Sequence, residues 1–95
     1  MKNYPASERP SLAKLKEQIT IPIVWHRLGL RGIPTKSCQS PFRKDDSPSF
    51  SVYACGKRWK DFSTGEGGDV IDFIATAAGL NLKEAVRLFL TYAGY

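Results

Sequence analysis

Cationic and aromatic side chains alternate in the middle of this chain. Tyr53 is followed by Lys57-Arg58-Trp59-Lys60, and Arg43-Lys44 adds two cations upstream. Cations neutralise phosphates and aromatic rings stack on unpaired bases, and proteins that bind single-stranded nucleic acid combine the two. The residues predicted to contact nucleic acid are therefore Arg43, Lys44, Tyr53, Lys57, Arg58, Trp59 and Lys60. Trp59 is explained equally well as a core residue.

The net charge of +5 is unevenly distributed along the chain. Residues 27–60 carry eight basic and two acidic side chains, whereas residues 61–95 carry two basic and five acidic ones. This segregation concentrates positive potential in the middle segment, which indicates an anionic partner there. The alternative is a solvated basic face that binds nothing.

A glycine-rich segment, Gly65-Glu66-Gly67-Gly68-Asp69, precedes a predicted helix. Such a position can bind phosphate at the helix start. The segment lacks the lysine of a P-loop, however, and its two carboxylates would repel a phosphate. We therefore expect a hinge-like loop whose glycines serve the turn.

The remaining reactive side chains give little support for metal binding or catalysis. Cys38 and Cys55 lack the spacing of a metal-ligand pair and are predicted to be free thiols. A disulfide between them, or a zinc site that adds His26, is the alternative. No catalytic triad or isolated carboxylate pair is evident, so we expect no catalytic residues, no cofactor and no enzymatic activity.

The N-terminal part of the chain predicts a lead-in followed by two helices. Residues 1–10 contain two prolines and no apolar period, which predicts a flexible lead-in to a single domain at residues 11–95. A first helix is expected to begin at Ser11 and to run to about Gln18. A second helix is expected around Pro22 and should end at one of the next glycines, although so short an apolar run is also compatible with a strand.

The middle of the chain predicts short strands. Polar and apolar residues alternate over residues 49–53, which is typical of a half-buried strand. Residues 58–62 are expected to pair with this strand across a tight turn at residues 54–57. Residues 35–38 are a candidate third strand.

Two helices are predicted after the glycine-rich segment. Asp69 is an N-cap residue, Asp72 lies in the first turn and Gly79 ends this helix. Asn81 and Glu84 have the spacing of a capping box for the last helix. The positions expected to be buried in the two helices are Val70, Ile71, Phe73, Ile74, Ala77, Ala78, Leu82, Val86, Phe89 and, at the margin, Tyr92.

Residues 40–73 as a set resemble the N-terminal zinc-ribbon domain of DnaG-type bacterial DNA primases. That family typically reads C-P-F-H, a turn, T-P-S-F-x-V, and then Y-H-C-F-x-C-G-x-G-G-D-x-I-D-F. The matching residues are Pro41-Phe42, Ser47-Pro48-Ser49-Phe50, Val52, Phe62, Gly65, Gly67-Gly68-Asp69 and Ile71-Asp72-Phe73. The resemblance implies an α+β fold, in which a small antiparallel, zinc-ribbon-like sheet is flanked by N-terminal and C-terminal α-helices.

All four zinc-ligand positions of the family pattern are substituted, by Ser40, Arg43, Asp61 and Thr64. Hydroxyls are poor zinc ligands and arginine is a permanent cation, so we expect a metal-free domain. Arg43 and Asp61 would come together where the resemblance puts the zinc, which predicts an ion pair supported by the hydroxyls of Ser40 and Thr64. The alternative is that the two charges are exposed and unrelated.

The resemblance also implies a function, namely binding of the single-stranded DNA template on the sheet face, in replication or in a mobile element. In the primase family a separate domain makes the phosphodiester bonds. Expected partners are single-stranded DNA and a helicase or the catalytic domain of a primase or polymerase.

A different class of function is the alternative. The chain would then be a protein-interaction module that lost DNA binding along with zinc. It would dock on a helicase, polymerase or primase through the acidic surface of residues 61–95 and the aromatics Tyr92 and Tyr95. No apolar run approaches the roughly 18 residues of a membrane span, and the N-terminus lacks the apolar core of a signal peptide, so a cytoplasmic location is expected.

Overall fold

The computed structural model describes residues 10–44 and 47–95, so all but the last residue of the predicted lead-in lies outside the described residues. The elements are α1 (Leu12–Gln18), α2 (Ile21–Arg27), β1 (Phe50–Tyr53), β2 (Arg58–Asp61), β3 (Gly67–Gly68), α3 (Val70–Ala78) and α4 (Leu82–Tyr92). The predicted α+β class, with a small antiparallel sheet flanked by helices from both ends, is confirmed. No helix in the described ranges has the length and apolar character needed to cross a membrane.

Local signals set the starts of the two N-terminal helices. The hydroxyl of Ser11 accepts a hydrogen bond from the Lys14 amide at 3.2 Å, which satisfies one of the unpaired donors of the first turn of α1. Pro22 lies in the first turn of α2, where its missing N–H costs nothing. The predicted second helix is confirmed, but it ends at Arg27, before either glycine.

Reciprocal capping boxes begin the two C-terminal helices; the box at α4 and the Asp69 N-cap of α3 were predicted, whereas the return bond from Asp72 was not. Asp69 accepts from amides at the start of α3, and the Asp72 side chain accepts from the Asp69 amide. Asn81 and Glu84 repeat this arrangement at α4. Each box satisfies donors that would otherwise have no partner in the helix, which fixes the residue at which the helix begins.

The hairpin of β1 and β2 divides its side chains between two faces. Tyr53 pairs with Arg58, and Val52 pairs with Trp59, in an antiparallel register. Since alternate side chains point to opposite sides of a strand, the register defines an inner and an outer face. The inner face carries Phe50, Val52, Trp59 and Asp61, and the outer face carries Ser51, Tyr53, Arg58 and Lys60.

The glycine-rich segment joins the sheet instead of forming the expected hinge-like loop. Gly67 and Gly68 pair with Lys60 and Trp59 of β2. A Cβ atom on Gly67 would lie 2.7 Å from the carbonyl oxygen of Trp59, and one on Gly68 would overlap the Asp72 carboxylate. The expected loop is therefore wrong for Gly67 and Gly68, which are required by close backbone approach, whereas Gly65 serves the turn as expected, with a φ of 80°.

Residues 35–38 lie along the other edge of the sheet without forming a regular strand. Cys38 exchanges two backbone hydrogen bonds with Phe50, at 2.8 and 2.9 Å, and the Val52 amide donates to the carbonyl of Thr35. The predicted third strand is thus reduced to an isolated bridge. Cys38 and Cys55 are both free thiols, as predicted.

An aromatic cluster fills the space between the inner face and the helices. The Trp59 ring stacks on Phe50 with centroids 5.6 Å apart and meets Phe73 of α3 edge-on. Trp25 of α2 stacks on the other side of Phe73 at 5.7 Å. The cluster packs β2 against α3, and α3 against α2, so the inner face belongs to the core.

The buried face of the last helix agrees with the prediction at Phe89, which is fully buried, and at Val86 and Tyr92, which are partly buried against the core, but not at Leu82. Leu82 is exposed, because it is the first residue of α4 and lies beyond the core. Ala85 and Phe89, further along α4, are fully buried. Ala78, at the end of α3, is also exposed, contrary to expectation.

Candidate nucleic-acid interface

The Arg43 and Asp61 side chains form a bidentate ion pair at the inner face of the sheet. The Arg43 Nη1 atom lies 2.6 Å from Asp61 Oδ2, and Nη2 lies 3.2 Å from Oδ1. Asp61 is only 1% exposed, whereas the Arg43 side chain is 37% exposed. Parallel bonds of this kind are the strongest geometry available to an arginine and a carboxylate. The predicted ion pair is therefore present, and it joins the loop before β1 to the end of β2.

Two serines complete the ion-pair cluster. The Ser40 hydroxyl accepts from Arg43 Nη1 at 3.3 Å. The Ser63 amide and hydroxyl both donate to Asp61 Oδ1, at 3.0 and 2.8 Å, and Arg43 Nη2 also bonds the Ser63 hydroxyl. The expected support from Thr64 is wrong, because its hydroxyl accepts from the amide of Glu66 instead. We use "ion-pair cluster" below for Ser40, Arg43, Asp61 and Ser63.

Hydrogen bonding explains the acidity of the buried carboxyl group. The side-chain bond from Arg43, together with the bonds from Ser63, lowers the pKa of Asp61 to about 2 against the opposing effect of burial. Asp61 is thus held as a carboxylate by the donors around it.

The residues at the four family ligand positions do not fit a zinc ion. Both oxygens of Asp61 are occupied by Arg43 and Ser63, and the Arg43 cation occupies the space beside them. Thr64 faces away from the ion-pair cluster and caps its own turn. Among residues 10–44 and 47–95, no group of three or more histidine, cysteine, aspartate or glutamate side chains could hold a metal ion.

The ion pair changes the role of Arg43 in DNA binding. Its two terminal nitrogens make four hydrogen bonds within the ion-pair cluster, and these nitrogens carry four of the five N–H groups of a guanidinium. A phosphate contact would have to compete with the buried Asp61 carboxylate. We therefore assign Arg43 to structure and leave it out of the proposed contact surface.

The structure brings three of the predicted contact residues together on the outer face. Tyr53 is 39% exposed and lies directly across the hairpin from the exposed Arg58. Lys60 lies two residues further along β2, and its Nζ atom donates to the carbonyl of Gly65 at 3.1 Å. Its aliphatic stem passes over Gly67, which has no side chain to displace it. One aromatic ring and two cations therefore share one surface.

Lys57 and Lys44 lie outside this surface. The Lys57 Nζ atom lies 2.8 Å from the Glu17 carboxylate, in a pair between two largely solvated side chains. Exposed pairs of this kind contribute little to stability, so Lys57 can exchange Glu17 for another anion at small cost. Lys44 is exposed and follows Arg43 in the loop before β1.

Trp59 belongs to the core, which was the alternative for this residue. It is 2% exposed, and its indole Nε1 donates to the carbonyl of Asp69 at 3.0 Å. Alternation along β2 places it on the inner face while its neighbours Arg58 and Lys60 face outward. A base could reach its ring only if the core opened, so Trp59 is not kept as a stacking residue.

The residues that sequence reasoning missed are Ser63 and Phe62. Ser63 lies beside the ligand position Thr64, and no sequence pattern distinguishes the two hydroxyls. Phe62 matched the family frame and was therefore treated as framework, but it is 68% exposed. Its position two residues after Lys60 is the signal that could have placed it on the outer face.

The two aromatics expected in a protein interface have different environments. Tyr92 is partly buried beneath the Arg27 guanidinium, whose carbon lies 4.8 Å from the ring centroid. This cation–π contact ties α2 to α4. Tyr95 is exposed.

Comparison with known families gives a match over almost the whole chain. Residues 7–95 match the model of the CHC2 zinc finger, the zinc ribbon of DnaG. No solved structure matches the chain.

Two curated relatives agree with the family match. The DNA primases of Chlamydia trachomatis serovar D and Chlamydia muridarum are each 37% identical to the chain over 83 residues. The aligned region covers 84% of this chain but only 14% of each primase. The chain is therefore similar to one small part of those proteins.

Proposed function

Since the chain belongs to the CHC2 zinc-finger family of DnaG-type DNA primases, we propose that it binds single-stranded DNA through the outer face of its sheet. The observation that carries the proposal is the grouping of Tyr53, Arg58 and Lys60 on one exposed face of the hairpin. A ring that can stack on a base then lies beside two cations that can neutralise the flanking phosphates.

The distribution of charge supports the same surface. Five of the nine acidic side chains lie in residues 61–95, whereas the hairpin and the loops before it carry most of the positive charge. Asp61, the one carboxylate on the hairpin strands, is buried against Arg43 and faces inward. The outer face therefore presents cations to DNA without a neighbouring strand carboxylate to weaken them.

The proposal concerns a binding module and not the whole activity of a primase. The chain spans 14% of the length of the primases to which it is similar. We propose that it contributes template contacts, with no catalytic step of its own, in replication or a mobile element in the cytoplasm. A helicase or the catalytic domain of a primase or polymerase would act beside it.

A salt titration of DNA binding tests the proposal directly. A fluorescein-labelled single-stranded oligonucleotide is titrated with the protein at several salt concentrations, with the matching duplex in parallel. We expect tighter binding to the single strand, with an affinity that falls as salt rises. Absence of binding to the single strand at low salt would overturn the proposal.

Charge variants locate the binding face. The double substitution Arg58→Ala with Lys60→Ala removes both cations of the outer face and should weaken binding at least tenfold. The salt dependence should also fall, by about 0.7 in the log–log slope for each lost phosphate contact. The matched control is Lys83→Ala with Arg87→Ala, which removes the same charge from the exposed side of α4 and should change affinity by much less. Equal losses from both pairs would show that only net charge matters.

The same titration separates DNA binding from the alternative function. A protein-interaction module would bind neither single-stranded nor duplex DNA, and its partner would be captured equally well after nuclease treatment. Tyr92, expected at that interface, is already covered by Arg27. The structure thus offers that module fewer exposed aromatics than the sequence predicted.

A further inference from the structure

We infer that Phe62 is a second base-stacking residue, and that the outer face binds a few consecutive unpaired nucleotides between Tyr53 and Phe62. The inference rests on the proposed function and extends it to a defined arrangement of rings and cations. Both rings are exposed, Tyr53 by 39% and Phe62 by 68%, and both adjoin the outer face of one hairpin.

The backbone places Phe62 in continuation of β2. Its amide donates to the carbonyl of Ser49 at 2.8 Å, which extends the hairpin register one pair beyond Phe50 and Asp61. Asp61 faces inward and is buried, so the next residue along the strand projects outward. Phe62 therefore lies in the same row as Lys60 and Arg58.

The spacing within this row suits a short single strand. Phe62 is four residues from Arg58, which is about 13 Å along a strand, and Tyr53 lies across the hairpin from Arg58. The two rings therefore lie at opposite ends of the face. Arg58 lies beside Tyr53, and Lys60 lies between Arg58 and Phe62. Bases can stack at each end while the intervening phosphates meet the two cations.

Phe62 has a fixed position but no evident role in the core. Its neighbours on both sides, Asp61 and Ser63, are bonded to each other and to Arg43, and the Gly65 amide closes the turn onto the carbonyl of Asp61 at 2.8 Å. A ring presented on so constrained a turn loses little conformational freedom when it binds a base. The ion-pair cluster therefore orients Phe62 toward the outer face.

The other exposed apolar side chains favour a nucleic-acid ligand over a protein at this face. In the described ranges the exposed large aliphatic residues are Ile23, Ile33 and Leu82, and none of them belongs to the sheet. The exposed large apolar side chains at the hairpin are both aromatic and both accompanied by cations. An interface built for an apolar protein partner would not need that combination.

The test compares Phe62→Ala and Phe62→Leu with the control Leu82→Ala, which removes another exposed apolar side chain, from α4. Binding is measured with a normal single-stranded oligonucleotide and with one of the same length built of abasic nucleotides. We expect Phe62→Ala to weaken binding to the normal oligonucleotide roughly tenfold, with an unchanged salt slope because no charge is lost. Phe62→Leu should recover little of the loss, since leucine has no ring to stack.

The two oligonucleotides make the outcomes distinct. On the abasic strand the wild type and Phe62→Ala should bind equally, because stacking is absent for both. If the wild type binds the normal strand and Phe62→Ala binds equally well, the stacking role of Phe62 is wrong while the proposed function stands. If Phe62→Ala loses as much affinity for the abasic strand, Phe62 acts through something other than stacking and the inference is overturned. Failure of the wild type to bind any single strand contradicts the proposed function itself.

Discussion

The two faces of strand β2 use charge in opposite ways. On the inner face the Asp61 carboxylate is buried and bonded to Arg43 and Ser63, so its charge is neutralised within the protein. On the outer face Arg58 is exposed, and the Lys60 Nζ atom donates to a carbonyl oxygen. Neighbouring residues of one strand therefore serve stability, at Asp61, and the proposed DNA binding, at Arg58 and Lys60.

This difference shows how the inner face supports the outer one. The loop before β1 must be joined to the turn after β2. The ion-pair cluster makes that junction here, from a bidentate pair and two serine hydroxyls. This junction supports the sheet from its inner side, opposite the outer face.

Breaking the ion pair should give the largest effect, and that effect should be on stability. Arg43→Ala leaves a buried carboxylate without its cation and should lower the free energy of unfolding by about 3–5 kcal/mol. Asp61→Ala should cost less, because the half-exposed Arg43 can regain water. Urea denaturation of both variants measures these losses.

Thr64→Ala is the matched control for the ion-pair variants. It removes a hydroxyl from a family ligand position that lies outside the ion-pair cluster, so stability should change by less than about 1 kcal/mol. Melting temperatures of Arg43→Ala and Asp61→Ala that equal the wild-type value would show that the cluster does not hold the fold.

Acid should weaken the inner face by a smaller amount. The pKa of Asp61 is lowered to about 2, below the roughly 3.9 of an unfolded aspartate. The stability from this shift is therefore fully present above pH 4 and is lost as the pH falls toward 2. The lost free energy should be about 2 kcal/mol. Denaturation of the wild type and Asp61→Asn across this range checks it, since the gap between them should narrow on acidification.

If acid lowers the free energy of unfolding of the wild type and of Asp61→Asn by the same amount, the acid sensitivity does not come from Asp61. Asp69 also has a lowered pKa, and it would then be the stronger candidate. Burial is the largest single effect on the Asp69 carboxyl and raises its pKa, but the Lys16 side chain and the hydrogen bonds from the Asp72 and Ile71 amides together outweigh the burial.

The smallest predicted effect concerns Lys57, which lies outside the proposed contact surface at the hairpin turn. Glu17 pairs with Lys57 at 2.8 Å and raises the pKa of that lysine. Glu17→Gln removes a negative charge beside the hairpin turn and should tighten DNA binding about twofold at low salt, with the gain disappearing at high salt. Weaker DNA binding by Glu17→Gln would show that the ion pair positions Lys57 for DNA. In that case Glu17 does not compete with DNA for the lysine.

The sequence predicted most of the fold because its local signals are strong. The caps at Ser11, Asp69 and Asn81 and the alternation in β1 each specify an element without tertiary information. The pairing of Gly67 and Gly68 with β2 could not be predicted in this way. Glycine pairs are usual in loops, and only the close approach of the Trp59 carbonyl shows why these two belong to a strand.

The candidate site was predictable in part, for a related reason. Strand alternation separates Arg58 and Lys60 from Trp59, and family spacing brings Arg43 to Asp61. Neither rule decides whether an aromatic residue at such a position is buried. Burial depends on which helices cover the sheet, and that is a property of the assembled core.

Mapping DNA contacts by NMR is the most direct test of the division between the two faces. Amide spectra of the ¹⁵N-labelled protein are recorded during titration with a short single-stranded oligonucleotide. The account predicts that the largest shifts occur at Tyr53 and at residues 58–62, with small shifts along α4. Shifts concentrated on α4, with the hairpin unchanged, would contradict it.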